Sequence, residues 1–133
     1  MKDAVAVVIK KGTQFLLIKR AKKGKAENFW CPITGAVEPG EIQKQAVIRE
    51  AQEEMGLVVE PIRKVWECPT DNREYLLHWW FVRMHEQEII MRPEEVKEYC
   101  WMEIKQMEKL KKMFDPDRQF FQKIGITLPD SIM

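Results

Sequence analysis

The chain has 133 residues, a size at which one domain buries a proper core, and its 45% apolar and 32% charged residues show no bias toward disorder or a fibrous repeat. A net charge of +1 and a pI near 7.7 exclude the strongly basic face that grips long nucleic acid, so none is expected as a partner. Cys31, Cys68 and Cys100 are odd in number and form no CxxC pattern, which argues against a disulfide framework or a zinc site and points to a reducing, cytoplasmic location.

In chain order, Ala4 to Ile9 and Gln14 to Lys19 are β-rich runs on either side of Lys10-Lys11-Gly12-Thr13, and read as a hairpin. The first of them is too short for a signal h-region or a membrane span, so no targeting segment and no membrane partner are expected. Residues 20 to 28, RAKKGKAEN, have the composition of an exposed basic loop. Phe29 to Ile33 is short and apolar, and Gly35 to Gly40 follows as a glycine and proline turn. Gln43 to Met55 lacks Gly and Pro and has helical periodicity, with Gly56 as its stop. Val58 to Glu67, Tyr75 to Met84 and Val96 to Ile104 read as strands, with turn signals at 69–72 and 91–94; Lys105 to Phe114 and Asp117 to Ile124 read as helices. The pattern predicts an α/β fold with a mixed β-sheet packed against helices, in a single domain over 1–133.

Glu50, Glu53 and Glu54 concentrate charge on the first helix. At about 100° per residue the three share an arc about 100° wide, and Val47, Ile48, Ala51 and Met55 form an apolar stripe beside it. Docked by that stripe, the helix would hold its acids at the edge of a cleft. A solvated acidic face is the ordinary reading of such a cluster. Converging carboxylates otherwise require a cation among them, and Mg²⁺ or Mn²⁺ prefers oxygen ligands of this kind. The preceding Gly35 to Gly40 has P-loop spacing, but Glu41 and Ile42 stand where that motif needs Lys and Ser or Thr, so the P-loop reading fails.

What remains is Gly35, five residues, Glu41, seven residues, then Arg49-Glu50-Ala51-Gln52-Glu53-Glu54-Met55-Gly56-Leu57. This resembles the signature of the Nudix hydrolase family, G-x5-E-x7-R-E-U-x-E-E-x-G-U with U a bulky or aliphatic residue, and only Ala51 is smaller than usual. "FWCPITG" (29–35) is similar to the family's approach to the turn, and the likeness extends from residue 1 to about 124. The resemblance implies a Nudix-type α/β/α sandwich. It implies that Glu50, Glu53 and Glu54, with the Gly35 carbonyl, ligate the metal, that Glu50 or Glu54 polarises the attacking water, and that Arg49 holds the glutamates in place. Glu41 corresponds to the box acid that supports loop and helix. A further family acid precedes a late-strand tryptophan by about six residues; Glu95 has that relation to Trp101, with Glu94 and Glu98 competing.

The implied reaction is hydrolysis of a phosphoanhydride in a nucleoside diphosphate linked to another moiety: a nucleotide, a nucleotide sugar or a dinucleoside polyphosphate. Arg20 matches an arginine that often touches phosphates. Tyr75, 18 places after Leu57, weakly resembles the diadenosine polyphosphate hydrolases. Trp79 and Trp80 face opposite sides of a strand, and strand aromatics, like His78, are expected in the core. A non-hydrolytic nucleotide-binding regulatory module is the competing class, although such modules usually lose a box glutamate and none is lost here. Homodimer formation is left open.

Overall fold

A computed structural model describes all 133 residues. Its strands are β1 (Lys2–Val8), β2 (Lys10–Lys11), β3 (Gln14–Arg20), β4 (Trp30–Cys31), β5 (Ile33–Ala36), β6 (Glu60–Pro69), β7 (Tyr75–Arg83) and β8 (Val96–Glu103). Its helices are α1 (Gln43–Met55), α2 (Ile104–Glu108) and α3 (Asp115–Lys123), with a 3-10 turn at Gly125–Thr127.

One sheet runs β5-β1-β7-β6, with β1 and β7 parallel and the other pairs antiparallel, so it is mixed. The second is antiparallel: β3 pairs with β8 along its length and with the short strands β2 and β4. The expected hairpin between residues 4–9 and 14–19 is therefore corrected. β1 belongs to the other sheet, and only the stretch just beyond it turns back, through Gly12 at φ 62°: the Leu16 N–H donates to the Ile9 carbonyl at 3.0 Å, and Lys10 and Lys11 pair with Phe15 and Gln14. The fully buried residues 5–9 explain why, since β1 is a central strand with neighbours on both edges, and a local hairpin would leave one edge bare.

Alternation along β1 supplies two cores. Val5, Val7 and Ile9 pack with Leu16, Ile18 and, from α1, Ala46, Val47, Ala51 and Met55. Ala4, Ala6 and Val8 pack with Phe15, Leu17, Trp79 and, from α3, Phe120 and Phe121. The result is an α/β architecture with a helix on each face. Trp79 stacks on Phe120 with centroids 4.0 Å apart, while the Trp80 indole N–H donates to Gln43 Oε1 at 2.9 Å on the opposite face. Truncating Trp79 to Ala would cost about 3–5 kcal/mol.

α1 has the expected bounds. Gly56, left-handed at φ 62°, closes it as the N–H groups of Gly56 and Leu57 return to the Gln52 and Ala51 carbonyls. The helix expected over Lys105 to Phe114 shortens to α2, because Phe114 instead becomes the extended residue ahead of α3, whose Pro116 favours a helix start. Gly35 lies in β5, opposite Val5, rather than in a turn. No helix is long and apolar enough to cross a membrane.

Candidate active site

A cavity of about 560 Å³ opens beside β5 and α1, within the usual range for small-molecule sites. Glu50, Glu53 and Glu54 line one end with Gly35 and Glu95; Arg20, Tyr75 and Asp117 line the rest, and Lys22, Lys25 and Arg92 also border it.

The apolar stripe of α1 sits differently from its expected place. Ile48 is 46% exposed, whereas Glu54 is only 5% exposed and Ala46 is fully buried. The buried arc therefore runs from Ala46 through Glu50 and Glu54 to Val47, Ala51 and Met55, so two acids point inward instead of lying beside the core.

Arg49 organises the outer part of this face. Its Nε and Nη2 donate to the two Glu41 oxygens at 2.8 and 2.9 Å, Nη1 donates to Glu50 at 2.6 Å and Glu53 at 3.2 Å, and Nη2 also reaches the Ala36 carbonyl at 2.8 Å. These bonds hold the Glu41 carboxyl below the usual range. The Glu50 carboxylate lies over Gly35, where a Cβ would stand 2.0 Å from Glu50 Cδ, so no larger residue fits unless Glu50 moves.

Glu54 has the opposite environment. Burial first, then hydrogen bonding and repulsion from Glu50, then Glu95, push its carboxyl far above the ordinary range, against a smaller pull from Arg20. Its Oε2 is buried and has no hydrogen-bond partner. No three acidic, histidine or cysteine side chains close into a finished coordination shell; Glu50 is drawn toward Arg49, and Glu53 is 43% exposed. The donor set nevertheless suits a hard divalent cation: carboxylate oxygens crowd together, one of them orphaned, beside a backbone strand without a side chain.

The other expected residues are distributed as follows. Glu95 faces the cavity, while Glu94 is exposed and pairs with Arg92. Glu98 lies on β8 opposite Lys19, outside the cavity lining. Arg20, at the end of β3, donates through Nη1 to Thr34 Oγ1 at 3.3 Å, and its Nε is buried without a partner. Tyr75 is half-buried at the cavity wall. His78 is buried away from the cavity lining, 2.9 Å from Asp3.

Asp117 is a residue that sequence reasoning missed. It is 6% exposed, lines the cavity and has no hydrogen bond to the rest of the chain that would account for its burial, which raises its carboxyl to about 7 against the pull of Arg20. In the first turn of α3 it looks like a solvated acid favoured by the helix dipole. Its spacing from Phe120 and Phe121, i+3 and i+4, was the available signal that it belongs to the buried face. Cys31, on the same wall, is pushed by burial to about 12 and stays a neutral thiol.

The model of the NUDIX domain family matches residues 1–124. The chain belongs to the Nudix hydrolase family. It is 30% identical over 110 residues to the CTP pyrophosphohydrolase of Escherichia coli (strain K12), covering 74% of this chain and 82% of that protein. It is 27% identical over 129 residues to the NAD-capped RNA hydrolase NudC of Deinococcus radiodurans, covering 94% of this chain but only 45% of that longer protein. The crystal structure of a MutT protein from Methanosarcina mazei Go1 superposes with a TM-score of 0.78 at 21% identity, covering 92% of this chain and 91% of the other, a likeness of fold. The Nudix box of this chain is thus the segment from Gly35 to Leu57.

Proposed function

We propose that the protein is a divalent-metal-dependent pyrophosphohydrolase that cleaves a phosphoanhydride bond in a nucleoside diphosphate linked to another moiety. The observation that carries this reading is Glu54, a buried carboxyl with an orphaned oxygen, crowded by Glu50 and Glu95 at one end of the cavity. Like charges so arranged are stable only with a cation among them or with a proton in its place.

Glu50, Glu53, Glu54, Glu95 and the Gly35 carbonyl would hold Mg²⁺ or Mn²⁺. When bound, the cation supplies neutralisation of phosphate charge and Lewis acidity. Arg49 keeps Glu50 and Glu53 oriented, and Glu50 or Glu54 accepts a proton from the attacking water. Arg20, whose guanidinium borders the cavity, binds a phosphate oxygen. At the same cavity, Asp117 offers a hydrogen-bonding carboxyl to the polar edge of the nucleobase and Tyr75 offers a ring face. A cytoplasmic setting suits three free cysteines.

The test is a panel of nucleoside triphosphates, ADP-ribose, nucleotide sugars and dinucleoside polyphosphates, with Mg²⁺ or Mn²⁺ and with chelator, products identified by mass. Metal-dependent release of a nucleoside monophosphate, lost in Glu53→Gln, is the expected result. Binding of these ligands without turnover under any metal would replace the proposal with a non-hydrolytic module.

A further inference from the structure

Between β7 and β8, residues 85–95 form neither helix nor strand, yet they are bound to the C-terminal end of α1 at several points. The Ile90 N–H donates to the Met55 carbonyl and the Arg92 N–H to the Glu54 carbonyl, each at 2.9 Å, using acceptors that a helix end leaves free. The Gln87 carboxamide clasps the backbone of Val58 from both sides: Oε1 accepts the Val58 N–H at 2.8 Å, and Nε2 donates to the Val58 carbonyl at 2.9 Å and to the His85 carbonyl at 3.0 Å. Gly56 leaves room for the crossing, since a Cβ there would lie 3.1 Å from Ile90 Cβ. Ile89 rests on the α1-side core.

The far end of this strap carries Arg92 and Glu95 to the cavity. The Glu95 and Val96 N–H groups donate to the Arg92 carbonyl at 3.0 and 2.9 Å, and the Ala21 N–H donates to the Glu95 carbonyl at 3.0 Å. Glu95 therefore takes its place from the end of α1, through the strap backbone, as well as from β8. The acid on the strap and the acids on the helix are set against each other by one chain of hydrogen bonds, and Gln87 is its only side-chain clasp on the residues just beyond α1.

We propose that Gln87 is a positioning residue for the cation site: by pinning the strap to Val58 it fixes the register in which Glu95 faces Glu54. The proposal rests on the reading of these acids as a cation site. The probe is Mn²⁺ alone, with binding to the full chain followed by electron paramagnetic resonance and the thermal midpoint recorded in parallel. Gln87→Met, of similar length but without hydrogen bonds, is expected to weaken Mn²⁺ binding about tenfold, the low end for groups that orient ligands from outside the site. Gln87→Asn, with the same amide on a shorter stem, falls between and serves if the Met variant does not fold. In a Glu95→Gln background, Gln87→Met is expected to weaken Mn²⁺ binding no further. Unchanged Mn²⁺ binding with only a lowered thermal midpoint overturns the proposal, as does equal weakening in the Glu95→Gln background. If the unsubstituted protein binds no Mn²⁺, the cation-site reading itself fails, an outcome distinct from either of these.

Discussion

Two groups of buried or half-buried carboxylates, one gathered at Arg49 and one in the cavity, differ in what neutralises them. On the outer side, Glu41 is held by the Arg49 guanidinium, which also reaches Glu50 and Glu53 at the cavity, so that all five N–H donors of that arginine are used. On the cavity side, Glu54 and Asp117 are each at least as buried, yet Glu54 retains an orphaned oxygen and both carboxyls are raised by burial. The contrast separates charge paired by Arg49 from charge left uncompensated in the cavity: under the proposed function, removing the Arg49 pairing should cost stability, and removing the uncompensated carboxyls should cost function while sparing or improving stability.

The largest effect is expected at Glu54. Glu54→Gln should lower metal-dependent turnover about 10²–10⁴-fold, the range of a lost acid–base group, with a thermal midpoint equal to or above that of the unsubstituted chain. A severe loss of stability would break the contrast. Arg49→Gln is expected to lower activity about 10–100-fold, because the glutamates lose their orienting donor, and in this case chemical denaturation should show a loss of about 1–3 kcal/mol.

Asp117→Asn should separate the two properties through pH. The folded carboxyl titrates near 7 and the unfolded one near 3.8, so between these values the unfolded state holds fewer protons and this group makes stability fall as pH rises. Denaturation curves at pH 4.5 and 7.5 should show the Asn variant gaining about 2–4 kcal/mol relative to the parent at the higher pH, while its selectivity among nucleobases changes. An equal difference at both pH values would remove the uncompensated charge from the account. The smallest effect belongs to Glu94→Gln, whose exposed pair with Arg92 makes both stability and turnover insensitive, to within about 0.5 kcal/mol; a large loss of turnover would transfer the strap's role from Glu95 to its neighbour.

Legibility along the chain followed the range of the interactions. α1 was readable to its last residue because a Gly- and Pro-free periodic run and a left-handed Gly56 are local signals. The pairing of β1 was not, since its partners β5 and β7 lie far along the chain and nothing in a strand's own residues names its neighbour. Ile48 was placed on the wrong side of the burial boundary for a related reason, while Glu54, expected at a cleft edge, lines the cavity but is more deeply buried. The wheel orders side chains around α1 but does not fix how far the helix is rolled against the sheet.

By itself, the sequence determined the family chemistry, because the box from Gly35 to Leu57 compresses a backbone strand, an orienting arginine and the acids of one helix into 23 consecutive residues. Only the tertiary structure decided which of those acids is buried without a partner, and that Asp117, far along the chain, shares the same cavity. Desolvation is the reason: a carboxyl's environment is set by all the elements that close around it, and no local spacing records how much water they exclude.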